Sequence, residues 1–233
     1  MKQNELALTP SDFWVEAWEQ ARFHYDRTAD DQEEEEYWRV HAPEYDDKNP
    51  LAPYADEIME EVYQIVRETN TLLEIGAGTG GFTTLLAPKV KEITVVEPSQ
   101  AMVHELQKNW QKQLEQPLPI VVRSKWEDAP ELEVDIVFGV NAFYRIRDMK
   151  ACLQKMHRSA RRHVILIQSI GRPFANPLEV KIKNETHTIE RAVVIANILN
   201  ELHINHEFKT FSVPRKNGLT HDVALIHWSM DAN

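Results

Sequence analysis

The segment LLEIGAGTGGF, over residues 72–82, constrains the fold of this 233-residue chain more than any other segment. Apolar residues run directly into a glycine-rich turn, and a helical pattern follows the turn. Glycine adopts backbone angles that other residues avoid, and it lets a ligand approach the main chain closely. A strand, a tight turn and a helix in this order are typical of an α/β domain that binds a nucleotide-like ligand.

Short apolar runs alternate with helical stretches after this turn. The runs are rich in β-branched residues, as expected for strands that are buried on both faces. Such alternation predicts a parallel sheet with right-handed crossovers. The predicted strands are Leu72–Ile75, Ile93–Val96, Ile120–Val122, Ile136–Phe138 and Val164–Ile167, and the predicted helices between them are Phe82–Val90, Gln100–Glu115 and Met149–Ala160.

The C-terminal part of the chain departs from this pattern. A predicted helix at Thr188–Leu202 precedes two apolar runs, His206–Val213 and Val223–Trp228, and an Asn217-Gly218 pair lies between the runs. Two strands around a short Asn-Gly turn predict a hairpin. The sheet is therefore expected to finish with an antiparallel strand.

The N-terminal part, residues 1–70, is rich in Trp, Tyr and acidic side chains. We interpret it as a helical lid or extension that precedes the ligand-binding domain of residues 71–233. A helix is predicted at Ala55–Glu68, where apolar residues lie on one face. The acidic run Asp30–Glu36 is expected to be a solvated loop or the start of a helix.

A second feature of the site is a carboxylate, Glu97, which closes the strand in TVVEP. A carboxylate in this position accepts hydrogen bonds from ribose hydroxyls, so the ligand is expected to carry a ribose. Two glycine patterns fit the turn: Gly76, Gly78 and Gly81 match the dinucleotide fingerprint, and Gly76, Gly78 and Gly80 after Glu74 match a methyltransferase motif. Charge favours the second, because Glu74 would crowd a pyrophosphate and suits an ammonium and a sulfonium.

The segment from about residue 71 to 228 resembles the class I S-adenosylmethionine-dependent methyltransferases, especially their small-molecule branch. The resemblance rests on EIGAGTG at 74–80, on VEPS at 96–99, and on DIVFGVNAFYRIRD at 135–148, which is similar to the family's fourth-strand segment. It implies a Rossmann-like three-layer sandwich with a mostly parallel seven-stranded sheet and an antiparallel last strand. It also implies S-adenosylmethionine as cofactor and methyl transfer by in-line displacement.

The resemblance further implies roles for single residues. The glycine turn would line the methionine part of the cofactor, Glu97 would hold the ribose, and the loop with Trp126 would flank the adenine. In that loop this chain has Lys125-Trp126 where many relatives carry an acidic residue and a small one. The expected cofactor-binding residues are Tyr45, Glu74, Gly76, Ala77, Gly78, Gly80, Glu97, Pro98, Trp126, Glu127 and Asn141, and the weaker substrate candidates are Trp38, Tyr144 and Arg145.

Structural roles compete with several of these roles. Trp126 could be a half-buried surface aromatic, and Asn141 could satisfy backbone groups at a strand end. No catalytic base is evident: relatives often place His after the tyrosine at position 144, where this chain has Arg145, which cannot act as a base at neutral pH. Arg145 could instead hold an acidic substrate. No metal site is expected, because His203 and His206 lack an acidic partner nearby in sequence.

Composition narrows the function. The net charge of −11, from 37 acidic and 26 basic residues, argues against a nucleic-acid partner. One cysteine, Cys152, and no apolar stretch of about 20 residues favour a cytoplasmic protein without a membrane span. We expect a methyltransferase that acts on a small-molecule acceptor as a monomer or homodimer. The alternatives are an NAD(P)-dependent oxidoreductase that uses the same glycines, or a noncatalytic cofactor-binding protein.

Overall fold

The computed structural model describes residues 8–23, 26–48, 55–172, 175–214 and 220–230. Helices and strands alternate through most of this length. The helices are α1 (Pro10–Arg22), α2 (Asp26–Ala29), α3 (Asp31–His41), α4 (Tyr45–Lys48), α5 (Ala55–Ile65), α6 (Thr83–Leu86), α7 (Gln100–Gln113), α8 (Met149–Ser159) and α9 (Arg191–Glu201). The strands are β1 (Thr71–Ile75), β2 (Glu92–Val96), β3 (Ile120–Val122), β4 (Val134–Val140), β5 (Ala160–Ile170), β6 (Leu178–Ile182), β7 (Glu185–Ile189), β8 (Glu207–Pro214) and β9 (Thr220–Ser229).

Seven of these strands form one sheet in the order β3-β2-β1-β4-β5-β9-β8. The pairs β1–β2, β1–β4, β2–β3 and β4–β5 are parallel, whereas β9 runs antiparallel to both β5 and β8. The chain order reverses between β1 and β4, so the loops after these two strands diverge and leave a crevice at the carboxyl edge. The predicted sheet, with its antiparallel last strand, is confirmed. The Asn217-Gly218 turn lies outside the described residues.

The sheet is covered on both faces, which makes the three layers of the predicted sandwich. Successive side chains of a strand point to opposite faces. Leu73 of β1 packs in the cluster formed with α1, α8 and α9, and its neighbour Leu72 packs in the cluster formed with α5 and α7. Both leucines are fully buried, which explains why the strands read as continuous apolar runs.

Several element boundaries differ from those predicted from sequence. The helix expected at Phe82–Val90 is only α6 plus a 3₁₀ turn at Ala87–Lys89, because Pro88 lacks the N–H that an α-helix needs. The helix expected at Thr188–Leu202 begins later, at Arg191, because β7 continues to Ile189. The two-stranded sheet β6–β7 was not predicted at all.

The N-terminal helices contribute to the fold in two ways. Helix α1 packs into the core through Phe13, Trp14 and Ala17, whereas α3 supplies side chains to the cavity described below. The division of the chain at residue 70 stays a prediction. The acidic run was expected to be a loop or helix start, and it forms the start of α3, with Asp30 as its N-cap.

The side chain of Gln20 joins helix α1 to the hairpin β6–β7 by hydrogen bonds. The Gln20 amide donates to the backbone oxygen of Lys181 at 3.2 Å and accepts from the Lys181 backbone N–H at 2.9 Å. Gln20 therefore makes both hydrogen bonds that a neighbouring strand would make at that position of β6.

Candidate active site

The glycine turn after β1 is held in a backbone shape that favours glycine. Gly76 has φ +68° and Gly78 has φ +55°. A Cβ atom on Gly76 would lie 2.4 Å from the Cβ of Ala142, so the turn and the loop after β4 touch at this point. A Cβ atom on Gly78 would meet nothing within 4 Å, because Gly78 faces a cavity.

Glu97 follows β2 and connects the glycine turn with the next helix. One carboxylate oxygen accepts from the backbone N–H of Gly78 and the other from that of Ser99, both at 2.9 Å. Burial raises the pKa of Glu97, and the nearby charges of Glu35 and Glu34 act in the same direction. Each carboxylate oxygen has lone pairs left, so Glu97 can accept further hydrogen bonds from a ligand.

A cavity of about 490 Å³ lies at this edge of the sheet, between the turn, the loops after β2, β3 and β4, and helix α3. It brings together most of the residues predicted from sequence. The predicted residues that line it are Trp38, Tyr45, Gly76, Gly78, Glu97, Pro98, Trp126, Glu127, Asn141, Tyr144 and Arg145.

Glu74, Ala77 and Gly80 do not line the cavity. Glu74 is buried, and the hydroxyl of Thr83 donates to its carboxyl group at 2.6 Å. Burial raises the pKa of Glu74 to about 8, so this carboxyl is largely neutral at pH 7. Contact of these three residues with a cofactor stays a prediction.

Asn141 ends β4 in a left-handed conformation, with φ +51°. Its side chain is fixed by three hydrogen bonds to β5: the amide oxygen accepts from the Ser169 N–H at 2.7 Å and from Gln168 at 3.0 Å, and the amide nitrogen donates to the Ser169 hydroxyl at 2.9 Å. Asn141 thus makes hydrogen bonds to polar groups at the end of β5 and also lines the cavity. These bonds hold a backbone shape that is costly for most residues other than glycine.

Trp126 is buried, and its indole ring both lines the cavity and packs on α8. The Lys155 ammonium lies 4.5 Å from the ring centroid and donates to the backbone oxygen of Trp126 at 2.7 Å. The ring is therefore a fixed wall of the cavity and not a surface aromatic.

Arg145 was expected to be available for an acidic substrate, and this role stays a prediction, because the structure pairs Arg145 with a carboxylate that it shares with Lys125. Its guanidinium donates to Asp31 of α3 at 2.7 Å, and the ammonium of Lys125 lies 2.6 Å from the same carboxylate oxygen. These ion pairs lower the pKa of Asp31 against the opposing effect of its partial burial. In the described part of the chain, the Arg145 Nε has no hydrogen-bond partner.

The sequence did not predict that acidic residues of α3 would enter the site. Glu34 is 4% exposed, and its carboxylate accepts from the Trp38 indole N–H at 2.6 Å, from Arg27 at 2.9 Å and from the Tyr144 hydroxyl. Desolvation and the Glu34 charge raise the pKa of Tyr144, so its phenol stays neutral. The signal was the spacing: Asp31, Glu34, Glu35 and Trp38 share one face of a helix.

Helix α1 holds the loop after β4 from the other side. The indole N–H of Trp14 donates to the Ile146 oxygen at 2.8 Å, and that of Trp18 donates to the Arg145 oxygen at 3.0 Å. The loop that carries Tyr144 is thus fixed between α1 and α3.

No three His, Cys, Asp or Glu side chains among the described residues are grouped so that they could hold a metal ion. In the same part of the chain, no helix is long and apolar enough to cross a membrane. Cys152 is a free, buried thiol on α8, away from the cavity lining.

Comparison with known proteins defines the class of this site. Residues 73–165 match a family model described as a methyltransferase domain. No curated protein matches the sequence. An S-adenosylmethionine-dependent methyltransferase from Aquifex aeolicus has a similar structure, with 16% identity over 82% of this chain and 98% of that chain and a TM-score of 0.61.

Two further structures share the fold. The magnesium protoporphyrin IX methyltransferase of Synechocystis PCC 6803 is 14% identical over 98% of this chain and all of that chain, with a TM-score of 0.58. A proposed RNA methyltransferase from Pyrococcus horikoshii is 19% identical over 77% and 83%, with a TM-score of 0.55. The fold is that of the Rossmann-like methyltransferases.

The matched segment is a methyltransferase domain that uses S-adenosylmethionine. This match favours the methyltransferase motif over the dinucleotide fingerprint for the glycine turn. The site fits that cofactor, because Gly78 leaves open space for a close ligand and Glu97 offers free lone pairs to hydroxyl donors. The acidic side chains around the cavity suit the cationic charge of the cofactor.

Proposed function

We propose that this methyltransferase transfers the methyl group to a small-molecule acceptor that binds in the cavity beneath helix α3. The observation that carries the proposal is the cavity itself, whose volume of about 490 Å³ is bounded on one side by α3. Small-molecule sites have volumes of about 300–1,000 Å³, so the volume of this cavity suits a cofactor together with a compact acceptor.

The charges around the cavity argue against a nucleic-acid acceptor. Asp31, Glu34, Glu35, Glu97, Glu127 and Asp128 line it, against Arg123, Lys125 and Arg145. Two of these cations are already bound to Asp31. A phosphate backbone needs clustered free cations, so the lining favours a neutral or cationic acceptor.

When bound, S-adenosylmethionine supplies a methyl group on a good leaving group, the sulfonium. In this proposal Glu97 binds the ribose, the backbone at Gly78 lies along the cofactor, and the wall of Trp126, Glu127 and Pro98 borders the adenine. These residues hold their positions through contacts within the protein, so orientation needs little rearrangement. Orientation alone can contribute roughly 7–11 kcal/mol to such a transfer.

The acceptor side of the cavity is formed by Tyr144, Trp38 and Arg145. The Tyr144 hydroxyl donates a hydrogen bond to Glu34, so its oxygen can still accept a hydrogen bond from an N–H or O–H group of the methyl acceptor. The neutral phenol also rules out Tyr144 as an ionised base at neutral pH. Positioning is therefore the main contribution of the chain to the transfer.

The test is to incubate the protein with methyl-labelled S-adenosylmethionine and two acceptor pools from a cell extract. One pool holds metabolites below about 1 kDa, and the other holds purified RNA. We expect label in the metabolite pool, and a Glu97→Ala variant is expected to lose both this turnover and S-adenosylhomocysteine binding. Label that enters only the RNA pool would overturn the proposal.

A further inference from the structure

Helix α3 presents two different faces. Asp31, Glu34 and Glu35 follow the i, i+3, i+4 spacing of one helix face, and all three line the cavity. The neighbouring Glu33 and Glu36 are exposed and do not line the cavity, and Glu36 pairs with Arg39 on the same helix at 2.6 Å. The acidic run is therefore divided into an inner and an outer set.

Glu35 of the inner set completes the start of another helix. Its two carboxylate oxygens accept from the backbone N–H groups of Gln100 and Ala101, each at 3.1 Å. These are the first two N–H groups of α7, which have no partner within their own helix. The third, on Met102, donates to the Ser99 hydroxyl at 3.2 Å. A carboxylate is well placed here because the N-terminus of a helix carries partial positive charge.

The same segment carries the carboxylate that the proposed function assigns to the ribose. Ser99 caps α7 with its hydroxyl and donates its N–H to Glu97, and Glu97 accepts in turn from Gly78. An unbroken path of hydrogen bonds and helix backbone thus runs from Glu35 through the start of α7 to the glycine turn.

We propose that Glu35 is a cofactor-positioning residue, which couples closure of α3 to the geometry of Glu97 and retains the bound cofactor. The inference rests on the proposed ribose-binding role of Glu97. When α3 lifts, two N–H groups of α7 and one carboxylate lose their partners together. Dissociation of the cofactor requires this opening, so Glu35 slows it.

The experiment compares Glu35→Gln with the outer-face control Glu36→Gln, and uses S-adenosylhomocysteine as the probe. Glutamine has nearly the shape of Glu35 but no charge, and its one acceptor oxygen can serve only one of the two N–H groups. The bond that remains is neutral, and charge-assisted hydrogen bonds are about twice as strong as neutral ones. We expect Glu35→Gln to speed dissociation of the probe by about tenfold, measured by surface plasmon resonance. A tenfold change corresponds to about 1.4 kcal/mol. Association is expected to change less, and Glu36→Gln is expected to match the wild type.

Ionic strength separates positioning from a merely structural role. Dissociation from the wild type is expected to speed up as NaCl rises from 50 to 500 mM, and this dependence is expected to be weaker in Glu35→Gln. If Glu35→Gln lowers the unfolding temperature but leaves the dissociation rate unchanged, the inference is wrong. Glu97→Ala tests the proposed function separately: loss of binding there, with unchanged dissociation in Glu35→Gln, would refute only the role of Glu35.

Discussion

Replacing Gly76 with alanine tests the close approach of the glycine turn to the loop after β4. The new Cβ would lie 2.4 Å from the Cβ of Ala142, where carbon atoms normally stay about 3.5–4.0 Å apart. The φ of +68° adds a conformational penalty of about 1–2 kcal/mol for any residue with a side chain. Overpacking of a tight contact adds about 1–3 kcal/mol.

Together these effects lower the free energy of unfolding by about 2–5 kcal/mol. For a chain of this size, each kcal/mol shifts the melting temperature by about 2–4 °C, so we expect Gly76→Ala to melt roughly 4–20 °C lower than the wild type. Differential scanning calorimetry without ligand measures this shift. The matched variant Gly78→Ala has a similar φ but no atom within 4 Å, so it should lose only about 1–2 kcal/mol.

The two glycine variants differ further in ligand binding. Gly78→Ala places its methyl group in the cavity, so its larger defect should be in affinity for S-adenosylhomocysteine, measured by calorimetric titration. The double variant Gly76→Ala, Ala142→Gly removes the clashing atom and should recover the overpacking part of the loss but not the conformational part. If Ala142→Gly restores no stability to Gly76→Ala, the clash with Ala142 is not a cause of the lost stability.

Three further predictions concern other sites. Burial raises the pKa of Glu74 from 4.5 to about 8, so the native state binds more protons than the unfolded state between these pH values, and the free energy of unfolding falls as pH rises from 4.5 to 8. Glu74→Gln should reduce this pH dependence, measured by urea unfolding, by up to about 1.4 kcal/mol per pH unit. Glu97, whose pKa is also raised, should leave some pH dependence. Burial also raises the pKa of the Cys152 thiol, so iodoacetamide should label it only after denaturation, as mass spectrometry can check. Asp148 caps α8 by accepting from the Ala151 N–H at 2.9 Å, and Asp148→Ala should cost about 1 kcal/mol in chemical unfolding.

The sheet and the glycine turn could be predicted from sequence because each depends on local chemistry. Continuous β-branched runs predict strands that are buried on both faces, and β1, β2, β3, β4 and β5 all follow such runs. Glu97 was chosen as a candidate because it closes β2, where a carboxylate can accept hydrogen bonds from ribose hydroxyls. The contact of Gly76 with Ala142 joins residues that are distant in sequence, and no local pattern reveals it.

The acidic face of α3 was missed for a different reason. A run of glutamates usually lies in solvent, and only the partners of Glu34 and Glu35 show otherwise: Tyr144 and the start of α7 lie far along the chain. The spacing of the inner set was visible, but an inner face made of carboxylates violates the apolar pattern that identifies buried helix faces. The strand β6 was missed although Leu178, Val180 and Ile182 alternate, because it belongs to a separate two-stranded sheet that the alternation of strands and helices does not predict.

The two hydrogen bonds between Gln20 and Lys181 bear on the solution behaviour of the protein. An open strand edge attracts strands from other molecules, and this is a common start of aggregation. The Gln20 amide occupies both backbone groups of Lys181, near the middle of the five-residue strand β6. These two groups are thereby withdrawn from pairing with a strand of another molecule.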